Sequence, residues 1–317
     1  MAAARCGRLP ACTRADPTAG ASQVTASFTR AGADGRLSLA VPAKGRMAEP
    51  ALRLCADAGL SFETTERSLL VPCDNAPVDL LLVRPSDIPE YVQDGVVDVG
   101  ITGANLVAEA QARVETLAEL GFAHCTLEAA VPEDASQEAV EDLAGLRVAT
   151  AYPVSTRRLL DARGVRVDLV PVSGSVEATP RLGLADAIVD LVSSGSTMDA
   201  NGLRRIGILL ESQAVLVGRP GAGDRSDLVE RLGLMLSGVV AARRRRYVMM
   251  NASVDALPAI RDVLPSMRAP TVLPLADEGQ IAVHAAVDAA DIWSVLPALK
   301  EAGASGILVL PVERLVP

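Results

Sequence analysis

The stretch VDLVSSGSTM (189–198) ends an apolar strand in Ser, Ser, Gly, Ser and Thr just before a helical segment. Backbone N–H groups and hydroxyls at a helix N-terminus point at one spot, and that spot suits a phosphate. Ser193, Ser194, Gly195, Ser196 and Thr197 are its candidate ligands. Without a wider frame, such a run is more often an ordinary helix cap. Asp190 supplies part of that frame: a carboxylate in an apolar strand needs a partner. There it can hold the two hydroxyls of a ribose whose 5′-phosphate lies in the loop.

The elements that position these residues follow a regular grammar from Leu37 onward. LSLAVPA reads as a strand, KGRM as a turn and AEPALRLCADAGL as a helix with Pro50 in its first turn. DLLLVR (79–84) is a short apolar strand, and SDIPEYVQDG is a helix capped by Ser86 and closed by Gly95. VVDVGITG (96–103) is another strand, and LRVATAY, STRRLLDARG, VDLVPVSGS, VEATPRLGLAD and AIVDLVSSGSTM repeat the alternation, with a helix expected after Glu177 and a turn at Gly183. This order predicts parallel sheets with helices on both faces, one over 37–123 and one over 124–216. Ligands bind such sheets at the C-terminal strand edges, and two facing sheets make a cleft.

After Pro220 the texture changes. LVERLGLMLSGVVAARRRR reads as one long helix with cations at its C-terminal end. The remainder orders as β-α-β-β-α-β, a ferredoxin-like pattern that hosts sensors or oligomer contacts. Residues 1–36, rich in Ala, Ser, Thr and Arg, read as a disordered extension. They have the flavour of a transit peptide or of an early start codon.

Composition excludes several classes. A net charge of −9 and 2% aromatic residues argue against general nucleic-acid binding. Five cysteines without a C-x-x-C pair point to free thiols in a reducing, cytoplasmic setting. Two histidines, His124 and His284, leave no His-rich metal site, and His284 falls in an alternating strand pattern. No apolar run reaches the roughly 18 residues a membrane span needs.

In its larger frame, EATPRLGLADAIVDLVSSGSTM (177–198) closely resembles the signature of the ATP phosphoribosyltransferase family. Glu177, Gly183, Ala185, Ile188, Asp190, Ser194, Gly195, Thr197 and Met198 satisfy its fixed intervals. AVPAKGRM resembles the family's first-strand motif, and RPSDIPEYVQDGVVDVGITGANL its central one, with Asn105 where many members have Asp. The resemblance runs from Leu37 to Pro317 and implies an α/β fold: two type II periplasmic-binding-protein-like lobes around a cleft. Lobe I takes 37–123 with 217–244 and lobe II takes 124–216. A C-terminal ferredoxin-like βαββαβ regulatory domain takes 245–317.

The implied reaction joins N1 of the ATP adenine to C1 of phosphoribosyl pyrophosphate and expels pyrophosphate, with Mg²⁺ held through that pyrophosphate. The resemblance implies Lys44, Arg46 and Arg84 for phosphate charge and Asp190 with Glu177 for the ribose. It puts Lys44, Gly45, Arg46, Gly103 and Asn105 at ATP, and the 193–197 loop at the 5′-phosphate. Read alone, Lys44 and Arg46 are a solvated turn and Arg84 a partner for Asp87. In the tail, the resemblance implies an L-histidine effector site of Asn251, Met267, Ala269, Thr271, Ala286 and Gly306, positions that otherwise read as core. It also implies a homo-oligomer, dimer or hexamer, needing no separate regulatory subunit. The rival reading is a two-lobed solute-binding protein without catalysis.

Overall fold

A computed structural model describes residues 35–65, 68–193, 196–221, 226–264 and 269–316, with only the backbone of Ser196 and Thr197. Of the expected extension, residues 1–34 lie outside the described residues. Arg36 belongs to the fold instead. Its Nε donates to the buried Asp79 carboxylate at 2.6 Å, and its Nη2 donates to the carbonyls of Cys73, Ala76 and Val78. A fork of donors matched by four acceptors ties it to the first sheet.

Lobe I opens with β1 (Leu37–Pro42), buried along its whole length, then α1 (Ala48–Asp57), β2 (Leu70–Pro72) and β3 (Val78–Val83). It continues through α2 (Ile88–Gln93), β4 (Val99–Gly103), α3 (Ala104–Ala110) and β5 (Glu115–Glu119). The N-cap of α2 is Asp87, not Ser86, whose hydroxyl donates to the Asp87 carboxylate at 2.9 Å. Gly95 closes the segment at φ +71.

Lobe II holds β6 (Cys125–Pro132), β7 (Arg147–Thr150), α4 (Pro153–Asp161) and β8 (Asp168–Pro171). It also holds β9 (Ala187–Val192), α5 (Ser196–Ala200) and β10 (Leu203–Ser212). No helix forms over 177–186. A 3₁₀ turn spans Val176–Ala178, the Thr179 hydroxyl donates to the Val176 carbonyl, and Pro180 stops propagation.

The chain returns to lobe I at β11 (Ala214–Gly218), so the crossing falls at 213 rather than 217. Lobe I is ordered β2-β3-β1-β4-β11-β5 and lobe II β10-β6-β9-β7-β8. Both sheets are mixed, not wholly parallel as expected. β3, β1 and β4 run parallel, as do β8, β7 and β9, whereas β2, β11, β6 and β10 pair antiparallel. A strand that returns from the other lobe enters from the opposite end, and its local sequence does not carry that direction.

The two crossings lie side by side. Leu120 N donates to Ala214 O and Ala214 N to Phe122 O, both at 2.9 Å, while the Gln213 side chain bridges Glu119 and Gly121. After α6 (Ser226–Arg243) the chain enters β12 (Arg245–Ser253). The expected long helix therefore ends before Arg245, which pairs with Asp288 at 3.8 Å. The tail continues with α7 (Leu257–Val263), β13 (Thr271–Pro274), β14 (Gln280–Asp288), α8 (Ile292–Glu301) and β15 (Ser305–Pro311). Its sheet, ordered β13-β14-β12-β15, packs one face on the helices through Val248, Met250, Val283 and Leu299. That is the ferredoxin-like module, and His284 lies in β14 as its alternation requires.

Candidate active site

Because β3, β1 and β4 run parallel, their C-terminal ends share one edge of lobe I. That edge carries exposed Lys44 and Arg46 after β1, exposed Arg84 after β3, and Gly103 where β4 meets α3. Gly45 turns the first loop at φ +82, a conformation that L side chains rarely adopt. Arg46 reaches across it, its Nη1 donating to the His124 carbonyl at 3.3 Å, beside the first residue of β6. Asn105 is buried, and its amide oxygen accepts from Ser212, the last residue of β10. A Cβ on Gly103 would stand 2.5 Å from that oxygen, so any larger residue in the turn into α3 must displace the Asn105 amide.

In lobe II the same edge collects the ends of β7, β8 and β9. Asp190 sits half-buried near the end of β9, in register with the buried Glu128 of β6 and on the same face of the sheet. Burial pushes the Asp190 carboxyl above the ordinary carboxylate range; the Leu191 N–H at 2.8 Å pulls it down, and the Glu177 charge raises it further. Glu177 is therefore within electrostatic reach of Asp190. Ser193 is exposed beyond the strand and the α5 backbone begins at Ser196. Ser194 and Gly195, with the side chains of Ser196 and Thr197, lie outside the described residues.

Tyr152 follows β7 as the N-cap of α4. Burial lifts its phenol to about 12, Asp190 and Cys125 add to the rise, and Arg46 of the other lobe opposes it. One aromatic ring thus feels groups from both lobes. Its backbone N–H donates to the buried Thr150 hydroxyl, which bonds Thr156, fixing the turn into α4. Cationic loop residues on one side and two neighbouring carboxylates on the other suit a ligand with both phosphates and a diol.

The family described as ATP phosphoribosyltransferase matches residues 84–238, and the one described as HisG, C-terminal domain matches 242–314. The ATP phosphoribosyltransferase of Maricaulis maris is 44% identical over 290 residues, covering 89% of this chain and 99% of that protein. That of Bacteroides thetaiotaomicron is 40% identical over 281 residues, covering 88% and 99%. The chain belongs to the ATP phosphoribosyltransferase family. It is therefore a transferase, and the solute-binding reading is not favoured. Among solved structures, the ATP phosphoribosyl transferase (HisG:HisZ) complex from Thermotoga maritima is 28% identical with a TM-score of 0.54. It covers 63% of this chain and 98% of its own.

As an ATP phosphoribosyltransferase, the chain carries in β12–β15 the family's C-terminal domain, where the effector candidates lie. Asn251 is exposed on β12, Thr271 and Ala286 lie on β13 and β14, and Gly306 sits at φ +55 on β15. Asn251 and Gly306 are neighbours: a Cβ on Gly306 would lie 3.7 Å from the Asn251 amide nitrogen. Thr271 pairs with His284, whose Nδ1 is 3.2 Å from the Tyr247 hydroxyl, and Tyr247 pairs with Ala286. Asn251 is four strand residues from Tyr247, roughly 13 Å, so Ala286 and Asn251 mark two ends of one face. Ala269 is exposed before β13, and Met267 lies outside the described residues. Tyr152, and Glu109 of α3, whose carboxylate accepts from Val154 N and Ser155 N of α4, escape a reading of the sequence, because an aromatic before proline and a helical glutamate look like packing and solvation. Their only signal is position after a strand of the repeat.

Proposed function

We propose that the cleft condenses ATP with 5-phosphoribosyl 1-pyrophosphate, a pentosyl transfer that is the first committed step of L-histidine biosynthesis. The observation that carries this reading is Asp190, held at the lobe II edge beside Glu177 and Tyr152, with Arg46 entering from lobe I. The bond from C1 to the pyrophosphate oxygen breaks, its electrons leave with the pyrophosphate, and N1 of the adenine forms the new bond. N1 already carries a lone pair, so the chain need supply no strong base. Its work is to meet charge where charge develops.

Asp190 and Glu177 face the ribose, whose ring becomes cationic at the transition state. Ser193, Ser194, Gly195, Ser196 and Thr197 receive the 5′-phosphate, and Lys44, Arg46 and Arg84 take the diphosphate charge. Gly45, Gly103 and Asn105 shape the ATP side, Asn105 from within the wall. No group of three or more metal-ligating residues occurs among the described residues. Two carboxylates fit an ion that arrives on the pyrophosphate, and Mg²⁺ there supplies charge for the leaving group. Losing one placed donor costs on the order of 3–4 kcal/mol in the barrier.

L-histidine is the proposed effector of the C-terminal sheet, with Asn251 offering an amide to it, and the working form is a homo-oligomer. Purified protein is mixed with ATP, phosphoribosyl pyrophosphate, Mg²⁺ and a pyrophosphatase, with and without L-histidine, while ultraviolet absorbance of the N1-ribosylated product is followed. Turnover suppressed by histidine is expected. Folded protein without turnover overturns the reaction, and turnover indifferent to histidine overturns the effector site alone.

A further inference from the structure

We propose that Glu109 is a positioning residue that sets how far the two lobes close, by capping a helix of lobe II from lobe I. The first N–H groups of any helix lack internal partners, and α4 supplies no side-chain cap of its own. Glu109, from α3 in the other lobe, fills the gap. Its Oε1 accepts from Val154 N at 3.0 Å and its Oε2 from Ser155 N at 2.8 Å. A carboxylate in this place gains two charge-assisted hydrogen bonds and the favourable end of the helix dipole.

α3 is built as a strut for this contact. Its base is fixed to the crossing strands: Ala104 N donates to Gln213 O at 3.0 Å, and Asn105 exchanges hydrogen bonds with the Ser212 hydroxyl, at 2.9 Å each way. Its far end carries Glu109 to α4. The residue just before α4 is Tyr152, which feels Asp190, Arg46 and Glu109 together. A shift of α4 along α3 therefore moves the wall of the cleft beside Asp190.

The hydroxyl of Ser155, a residue 1% exposed, is the buried side-chain polar atom among the described residues left without a hydrogen-bond partner. An unpartnered buried hydroxyl is a cost to the fold, whereas the N–H groups of Val154 and Ser155 are satisfied by Glu109. Beside the contact a groove of about 520 Å³ runs between Gln111 of lobe I and Pro153, Arg157 and Asp161 of lobe II, leaving the helices room to slide.

The test is an interlobe distance measured by pulsed electron resonance. Spin labels go on exposed positions 90 and 134, in a full chain whose Cys6 and Cys12 are replaced by serine. Glu109→Ala is expected to lengthen and broaden the distance distribution without substrates. Ser155→Ala, which keeps both N–H donors, leaves the distance unchanged. Where the proposed reaction holds, Glu109→Ala also lowers kcat/KM by about tenfold or more. Should Glu109→Ala fail to fold, Glu109→Gln, which keeps one acceptor oxygen, gives the same shift at smaller amplitude. A wild-type distance distribution in the folded variant, even with a lowered Tm, makes the carboxylate a helix cap only and overturns the proposal. Absence of turnover in the wild-type protein would instead sink the proposed reaction and leave the distance result standing.

Discussion

At Asp190 a carboxylate is held where water is scarce and a second carboxylate is near. Its pKa is raised in the folded chain, so its contribution favours folding below the ordinary carboxylate range and turns unfavourable as pH rises through the folded value. Asp190→Asn keeps an acceptor for Leu191 N and removes the charge. It is expected to raise Tm at neutral pH, with the gap to wild type closing under acid, and to abolish turnover. Calorimetry across pH, beside the product assay, checks both halves; a lowered neutral Tm contradicts the burial account. If the charged form binds ribose, kcat/KM also falls on the acid side at a pH above the usual carboxylate range. Asp190 was legible because a charge inside an apolar run asks for a reason. Arg36 was not, since its partner Asp79 lies 43 positions away and nothing local marks the pair.

At the scale of elements, the alternation of strands and helices was readable because each strand is a short apolar run bounded by Gly, Pro or Ser. Direction and sheet membership were not. AVLVG reads as one more buried strand, yet it sits antiparallel between β4 and β5 after crossing from the other lobe. The crossing carries Ala123 at φ +53, a conformation costing an L-residue roughly 1–2 kcal/mol. Ala123→Gly is expected to raise Tm by a few degrees if that strain outweighs the entropy glycine adds to the unfolded chain. A clear fall in Tm would mean the strain is smaller than the entropy that glycine adds to the unfolded chain. Gly103→Ala is expected to destabilise by about 1–3 kcal/mol in urea titration, because the new methyl displaces the Asn105 amide.

At the scale of the molecule, the ferredoxin-like tail covers one sheet face with helices and leaves the other outward. That outer face shows Tyr247, Leu308 and Leu310 at 37%, 58% and 42% exposure, a row of apolar groups that the proposed homo-oligomer would bury. Leu308→Asp is expected to yield a smaller assembly by light scattering and a weaker response to histidine. An unchanged mass contradicts assembly through this face. The order of elements in the tail was legible from its alternating patterns. Its place against the lobes was not, because that depends on Arg314 of the tail donating to the Asp57 carbonyl across a long separation. In the proposed reaction the cleft transfers a phosphoribosyl group to ATP and needs Asp190 to do so. Mass spectrometry of a mixture of protein, Mg²⁺, ATP and phosphoribosyl pyrophosphate tests it most directly. The wild-type chain should yield ATP bearing one added phosphoribosyl group, and Asp190→Asn should yield none. Unmodified ATP from the folded wild type, or equal product from both chains, would contradict it.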